Sequence, residues 1–243
     1  MSDIHLSIII PAHNEENRLP NSLRAIDAFL AQQSYAAEVI VVENGSTDRT
    51  AELAQAFAAE HPYVRVLQEA ARGKGNAVRA GMLAARGAYR FMCDADLSMP
   101  IEEVARFLPP RLNGFDVAIG SREISGAQRF NEPALTHLRG RIFSNLVKVF
   151  AVRDIEDTQC GFKCFRADIA EDLFTAQQLD GMSFDVELLF IAKRRGYKIV
   201  EVPINWYFDS ESKVRAIEDS LQMLADVLAI RRNWRSGKYG APK

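Results

Sequence analysis

Cysteine is scarce in this chain of 243 residues: Cys93, Cys160 and Cys164 are odd in number, and no C-x-x-C pair is repeated. That excludes a disulfide framework or a zinc ribbon and fits a reducing compartment. No stretch approaches the roughly 18 apolar residues that a membrane span requires. Met1-Ser2-Asp3-Ile4-His5 puts no basic segment ahead of its short apolar run. Neither a transmembrane helix nor a secretory signal is expected. Charge of one sign is lacking too, with 30 Lys and Arg against 32 Asp and Glu. Such a balance gives no global field for nucleic acid, so any anion site has to be local. Internal repeats, low-complexity tracts and Ser/Gly linkers are missing, and 48% hydrophobic with 26% charged residues is the composition of an ordinary globular chain.

What is present is alternation. Leu6-Ser7-Ile8-Ile9-Ile10, closed by Pro11, is short, apolar and β-branched, as a strand buried on both faces should be. Similar runs follow at Glu38-Val39-Ile40-Val41-Val42, Val64-Arg65-Val66-Leu67, Tyr89-Arg90-Phe91-Met92-Cys93 and Asp116-Val117-Ala118-Ile119-Gly120. Between them, segments 19–33, 48–60, 76–86 and 101–112 have helical spacing and favour Ala, Leu, Glu and Arg. This order predicts an α/β fold: a Rossmann-like, mostly parallel twisted sheet with helices on both faces. Residues from 122 onward read as a continuation of that domain, and 126–138 as a mobile loop.

Ligands of such sheets sit beyond the carboxyl ends of the strands. The segments there are Ala12-His13-Asn14-Glu15-Glu16, Glu43-Asn44-Gly45-Ser46-Thr47-Asp48, Ala70-Ala71-Arg72-Gly73-Lys74-Gly75-Asn76 and Asp94-Ala95-Asp96. Asp94 and Asp96, one residue apart after an apolar strand, repel each other unless a cation intervenes. Mg²⁺ or Mn²⁺ held by two carboxylates and a substrate's phosphates would suit them, although a pair of turn residues is an equal reading of D-x-D alone. Strand-to-helix turn chemistry accounts for Gly45, Ser46 and Asp48 but not for Glu43 and Asn44, which could bond a ribose or a base edge. The dinucleotide fingerprint G-x-G-x-x-G is absent after the first strand, which argues against a dinucleotide oxidoreductase.

Taken together, Pro11-Ala12-His13-Asn14-Glu15, Glu43 to Asp48, Gly73-Lys74-Gly75 and Asp94-Ala95-Asp96-Leu97 resemble family-two glycosyltransferases of the GT-A fold. Asp157-Thr158-Gln159-Cys160-Gly161-Phe162-Lys163, Phe184-Asp185-Val186-Glu187-Leu188-Leu189, Glu201-Val202-Pro203 and Ser212-Lys213-Val214 narrow the likeness to dolichyl-phosphate glucosyltransferase and polyprenyl-phosphate mannosyltransferase relatives. The resemblance implies inverting transfer of a hexose, glucose ahead of mannose, from a nucleotide-sugar to a polyprenyl phosphate. UDP-glucose is the favoured donor and GDP-mannose the next. It implies donor contacts at Pro11, Ala12, His13, Glu15, Glu43, Asn44, Lys74, Asp94, Ala95, Asp96 and Lys213, with the metal on Asp94 and Asp96. Arg122, Arg139, Arg141 and Ser144 would hold the acceptor phosphate, and Asp96, Arg122 and Lys213 would carry the catalysis.

Two departures from the family pattern are visible: Glu43-Asn44 replaces the usual Asp-Asp, and Ser98 stands where mannosyltransferase relatives often carry Gln. An anionic phosphate acceptor needs no strong base, so arginine positioning and leaving-group stabilisation would be the main tasks. Were the acceptor a saccharide hydroxyl instead, Asp157 and Asp185 would be the nearest bases. A nucleotide-sugar-binding protein without turnover is the alternative outside enzymes.

The tail from 217 to 234 carries two apolar stripes at helical spacing, Ile217, Leu221, Leu224, Leu228 and Met223, Val227, Ile230, Trp234, with Arg231, Arg232, Arg235 and Lys238 at its end. It reads as a C-terminal amphipathic helix packed on its own domain, on a membrane surface, or on a second copy in a homodimer. The expected division is a glycosyltransferase domain over 1–216, with a donor half to about 121 and an acceptor half from about 122, then the helix and basic tail over 217–243. The expected location is peripheral, on the cytoplasmic face of a membrane.

Overall fold

The computed structural model describes residues 4–133, 152, 154–208 and 216–241. Its first half alternates as the sequence pattern requires: β1 (Leu6–Ala12), α1 (Leu19–Leu30), β2 (Ala37–Glu43), α2 (Thr50–Glu60), β3 (Val64–Gln68), α3 (Lys74–Ala84) and β4 (Tyr89–Met92). A 3₁₀ helix, Ile101–Arg106, follows, and then β5 (Val117–Ser121), β6 (Gln128–Phe130), β7 (Lys163–Arg166), α4 (Ala167–Ala176), α5 (Phe184–Arg194), β8 (Ile199–Pro203), β9 (Asn205–Tyr207) and α6 (Ala216–Arg235).

Seven strands form one sheet in the order β3-β2-β1-β4-β7-β5-β8. Only β7 runs against its neighbours, β4 and β5. Residues after 122 therefore complete the sheet begun by the first half. The pleat sorts the core into two layers. Ile8 and Ile10 of β1 join Leu23, Ile26 and Phe107 on one face, while Ile9 joins Val78, Met82, Phe174 and Leu188 on the other. With both faces covered, β1 and β2 can be apolar almost throughout.

Two expectations need correction. The helix expected over 101–112 is a 3₁₀ helix that stops at Arg106. Pro109 and Pro110 cannot donate to a helical ladder and disfavour helical backbone in the residue before each, so the pattern cannot propagate. The expected loop over 126–138 contains β6, paired in parallel with β9 in a separate two-stranded sheet, Gln128 opposite Asn205 and Phe130 opposite Tyr207. The rings of Phe130 and Tyr207 stack there, 4.6 Å between centroids. Residues 134–138 of that segment lie outside the described residues.

Helix α6 packs one stripe on the domain. Met223, Val227 and Ile230 are buried in the same layer as α4 and α5, and Trp234 packs against it. Leu228, from the other stripe, is 61% exposed. The side chains at 217, 221 and 224 lie outside the described residues. No helix among those described is long and apolar enough to cross a membrane.

Candidate active site

Parallel register brings the strand ends together on one edge: Ala12 of β1 lies opposite Glu43 of β2, and Ile9 opposite Met92, two residues before Asp94. Antiparallel pairing sets the start of β7 on the same edge, Lys163 opposite both Met92 and Ile119. Arg122 follows β5 directly.

After β1 and β2 the backbone is held by side chains. His13 Nδ1 donates to the Asn44 carbonyl at 2.8 Å, and the Thr47 N–H donates to Asn14 Oδ1 at 2.8 Å. Glu15 receives a two-pronged contact from Arg18 at 2.7 and 2.8 Å. The nearly buried Glu43 carboxylate accepts the Ser46 N–H at 2.5 Å across the turn that Gly45 makes with a φ of +69°. Asn44 donates to the carbonyls of Glu69 and Ala71 at 2.9 and 2.7 Å and accepts the Gly73 N–H at 3.0 Å. It therefore shapes the loop before Gly73-Lys74-Gly75.

That triplet opens α3. Lys74 Nζ reaches Asp94 Oδ1 at 2.5 Å. Burial opposes the ammonium charge, but Asp94, Asp185 and Asp96 outweigh it and hold the Lys74 pKa above the ordinary value. Burial also pushes the Asp94 carboxyl up, and Lys74, Lys163 and Arg122 overcome it, leaving Asp94 below the carboxylate range. Gly161 lies under this carboxylate so closely that any Cβ would collide with Asp94 Oδ2. Ser22 Oγ donates to the Ala95 carbonyl at 2.6 Å, tying the D-A-D loop to α1.

Asp96 differs. It accepts the Ser98 N–H at 2.9 Å, with the Ser98 side chain also bonding to it, and makes no ion pair among the described residues. Burial first, and the charge of Asp94 second, raise its pKa.

Lys163, 1% exposed, pairs with Asp185 at 2.8 Å and donates to the Cys160 carbonyl at 2.5 Å. Burial keeps Asp185 above the ordinary carboxylate value despite Lys163 and Lys74. Arg122 grips Asp157 through Nε at 2.6 Å and Nη2 at 2.9 Å, with its guanidinium 5.5 Å from the Trp206 ring centre. Burial disfavours both charges, but pairing prevails and holds Asp157 down to about 2. Glu201 accepts the N–H groups of Glu156 and Asp157 at 2.9 and 3.1 Å, fixing the loop that carries Asp157.

Lys74, Lys163 and Arg122 thus face Asp94, Asp96, Asp157 and Asp185, and Asp96 is the carboxylate left over. The donor set fits a divalent cation that takes Asp96 and Asp94 and completes its shell with a ligand's oxygens. No group of three or more His, Cys, Asp or Glu side chains suited to a metal occurs among the described residues.

The edge brings together Pro11, Ala12, His13, Glu15, Glu43, Asn44, Lys74, Asp94, Ala95, Asp96 and Arg122. Arg139, Arg141, Ser144 and Lys213 lie outside the described residues. Gln177, Asp180, Tyr239 and the pairing role of Glu187, all in the support beneath Lys74, belong to no sequence motif. The only signal for Tyr239 was its place between Gly237 and Gly240, where both glycines turn the chain with φ of +71° and +65°.

A profile of glycosyl transferase family 2 matches residues 7–174. A dolichyl-phosphate beta-glucosyltransferase of Drosophila melanogaster is 39% identical over 93% of this chain and 74% of its own length. The human dolichyl-phosphate beta-glucosyltransferase is 34% identical over 96% of this chain and 77% of its own. Among solved structures, the glucosyl-3-phosphoglycerate synthase of Mycobacterium tuberculosis, crystallised with Mn²⁺, UDP-glucose and phosphoglyceric acid, superposes with a TM-score of 0.65 at 19% identity, covering 99% of this chain and 81% of that one. At that identity the likeness establishes the fold, which is GT-A-like.

Proposed function

The chain belongs to glycosyl transferase family 2, and on that premise we propose that it moves glucose from UDP-glucose to a polyprenyl phosphate of the dolichyl type. One observation carries this reading: relatives matched over nearly the whole chain are dolichyl-phosphate beta-glucosyltransferases.

In this reading Pro11, Ala12, His13, Glu15 and Glu43 line the nucleoside. Asn44, whose amide is spent on the 69–73 backbone, contributes by shaping the wall. Asp94 and Asp96 would hold Mg²⁺ or Mn²⁺, which when bound neutralises charge on the diphosphate and steadies it as a leaving group. Lys74, already charged and aimed at Asp94, adds a second cation beside that diphosphate. Lys213 is assigned to the diphosphate, and Arg139, Arg141 and Ser144 to the acceptor phosphate, on the family resemblance.

Arg122 commits Nε and Nη2 to Asp157, which leaves Nη1 to orient a phosphate oxygen. That oxygen attacks the anomeric carbon, its new C–O bond forming as the bond to UDP breaks, with inversion. The attacking group is already anionic near neutrality, so no proton has to be removed. Asp157 and Asp185, each paired with a cation, suit support better than base chemistry. A lipid acceptor places the protein at a membrane surface, on the cytoplasmic side where nucleotide-sugars are supplied.

The test is incubation with UDP-glucose, GDP-mannose or dTDP-glucose and a polyprenyl phosphate, with Mg²⁺ or Mn²⁺. The expected result is glucosyl lipid from UDP-glucose. Mannosyl lipid from GDP-mannose would reassign the sugar, and nucleotide binding without turnover on lipid or saccharide acceptors would remove the enzyme reading.

A further inference from the structure

The side chain at Lys74 is held from a place far away in sequence. Gly73 and Gly75 lie flat against the segment 177–180. A Cβ at Gly73 would collide with the Asp180 carbonyl, and one at Gly75 would come within 2.8 Å of the carbonyls of both Leu179 and Asp180. The Gly75 N–H donates to the Asp180 carbonyl at 2.8 Å, and Gln177 Nε2 donates to the Gly75 carbonyl at 3.0 Å. This segment is held in turn by Glu187, which is fully buried in α5 and accepts the N–H groups of Gln178 at 3.0 Å and Leu179 at 2.8 Å. The other oxygen of Glu187 accepts the Tyr239 hydroxyl at 2.7 Å. Tyr239 is 4% exposed and is pinned by its own carbonyl, which accepts Arg195 Nη2 at 2.6 Å.

A buried carboxylate is costly unless each of its oxygens is used. Glu187 meets that demand by joining the C-terminal tail to the segment beneath the donor loop. We propose that Tyr239 is a positioning residue for the donor site, acting through Glu187 and residues 178–180 to fix Gly73-Lys74-Gly75 and so the approach of Lys74 to Asp94. The inference rests on the reading of Lys74 and Asp94 as donor-binding groups. It makes donor affinity depend on a tail residue that never touches the donor.

The experiment compares the full chain with Y239F, which keeps the ring and removes only the hydroxyl, and with E187M, which removes the shared acceptor. UDP binding with Mn²⁺ is measured by calorimetry, and exchange of backbone hydrogens by mass spectrometry. Loss of one hydrogen bond to a buried charged group should weaken UDP about three- to tenfold in Y239F and at least as much in E187M. KM for UDP-glucose should rise by the same factor, with kcat within about twofold and KM for the lipid unchanged. Exchange should quicken at 73–78 and 177–181 and not in α1. I230V loosens the same packing layer without touching Glu187, and should bind UDP like the parent.

An unchanged UDP affinity in whichever of Y239F and E187M folds would overturn the proposal, and so would equal weakening in I230V. A parent protein that binds no nucleotide would instead overturn the donor-site reading, a different failure.

Discussion

Lys74 and Asp94 meet at 2.5 Å across the gap between the start of α3 and the end of β4. The pair neutralises one of the two carboxylates of D-A-D and leaves the other, Asp96, with raised proton affinity. In the proposed reading that carboxylate would take one further cation, and with it the negative charge of a diphosphate.

Replacing Lys74 by Met keeps the volume and removes the charge. Asp94 would then lose its nearest cation while still facing Asp96. We expect kcat/KM for UDP-glucose to fall about 10²-fold or more, the range seen when a charge-stabilising donor is deleted. Most of the loss should appear in nucleotide affinity. Calorimetry with UDP and Mn²⁺ checks it, and unaltered affinity would mean that the contact with Asp94 only joins two loops.

Asp96→Asn should separate stability from function. An acid whose pKa rises on folding costs stability above its unfolded pKa, because the folded state disfavours the charge it must hold. Near neutrality the amide variant should therefore melt higher than the parent when no ligand is present. It should also lose the additional rise that UDP with Mn²⁺ gives the parent. A thermal-shift comparison reads both effects, and a lower melting point would contradict the raised pKa.

The first half of the fold was legible because apolar runs and helical spacing alternate without interruption from Leu6 to Met92. The motif residues at the strand ends were legible for the same reason, since parallel register carries each of them to one edge. The second half depends on contacts distant in sequence. Nothing local in Lys163-Cys164-Phe165-Arg166 says that it runs antiparallel between β4 and β5. Nor does Gln128-Arg129-Phe130 announce a strand, as it is completed only by Asn205-Trp206-Tyr207. The partners of Glu187 were hidden because they are backbone N–H groups and one tail hydroxyl, which no motif encodes.

Gly161→Ala tests how tightly Asp94 is seated. An added Cβ would collide with Asp94 Oδ2, and either the carboxylate or the loop has to move. A displacement of about 1 Å at a reacting centre is enough to cost about 10²-fold in rate. We expect that loss with the protein still folded. Gly181→Ala, where an added Cβ meets nothing within 4 Å, should leave activity unchanged. Equal activity in both variants would show that the fit of Asp94 against Gly161 has no bearing on turnover.

The Arg122–Asp157 pair gives the site a signature in acid. Its carboxyl is held down to about 2 from an ordinary value of 3.8, so its contribution to stability is complete above about pH 4 and disappears as pH falls through about 2. A shift of that size is worth about 2 kcal/mol. In Asp157→Asn the titrating group is gone and Arg122 keeps only an amide oxygen to bond. The difference in unfolding free energy between parent and variant should therefore be largest near neutrality and shrink by about 2 kcal/mol across that acid range. Urea unfolding at several pH values from about 5 downward measures it, because titrations shared by both proteins cancel in the difference. Were the difference constant with pH, Asp157 would not be ionised against Arg122, and the assignment of Arg122 Nη1 as the free arm for an acceptor phosphate would lose its basis.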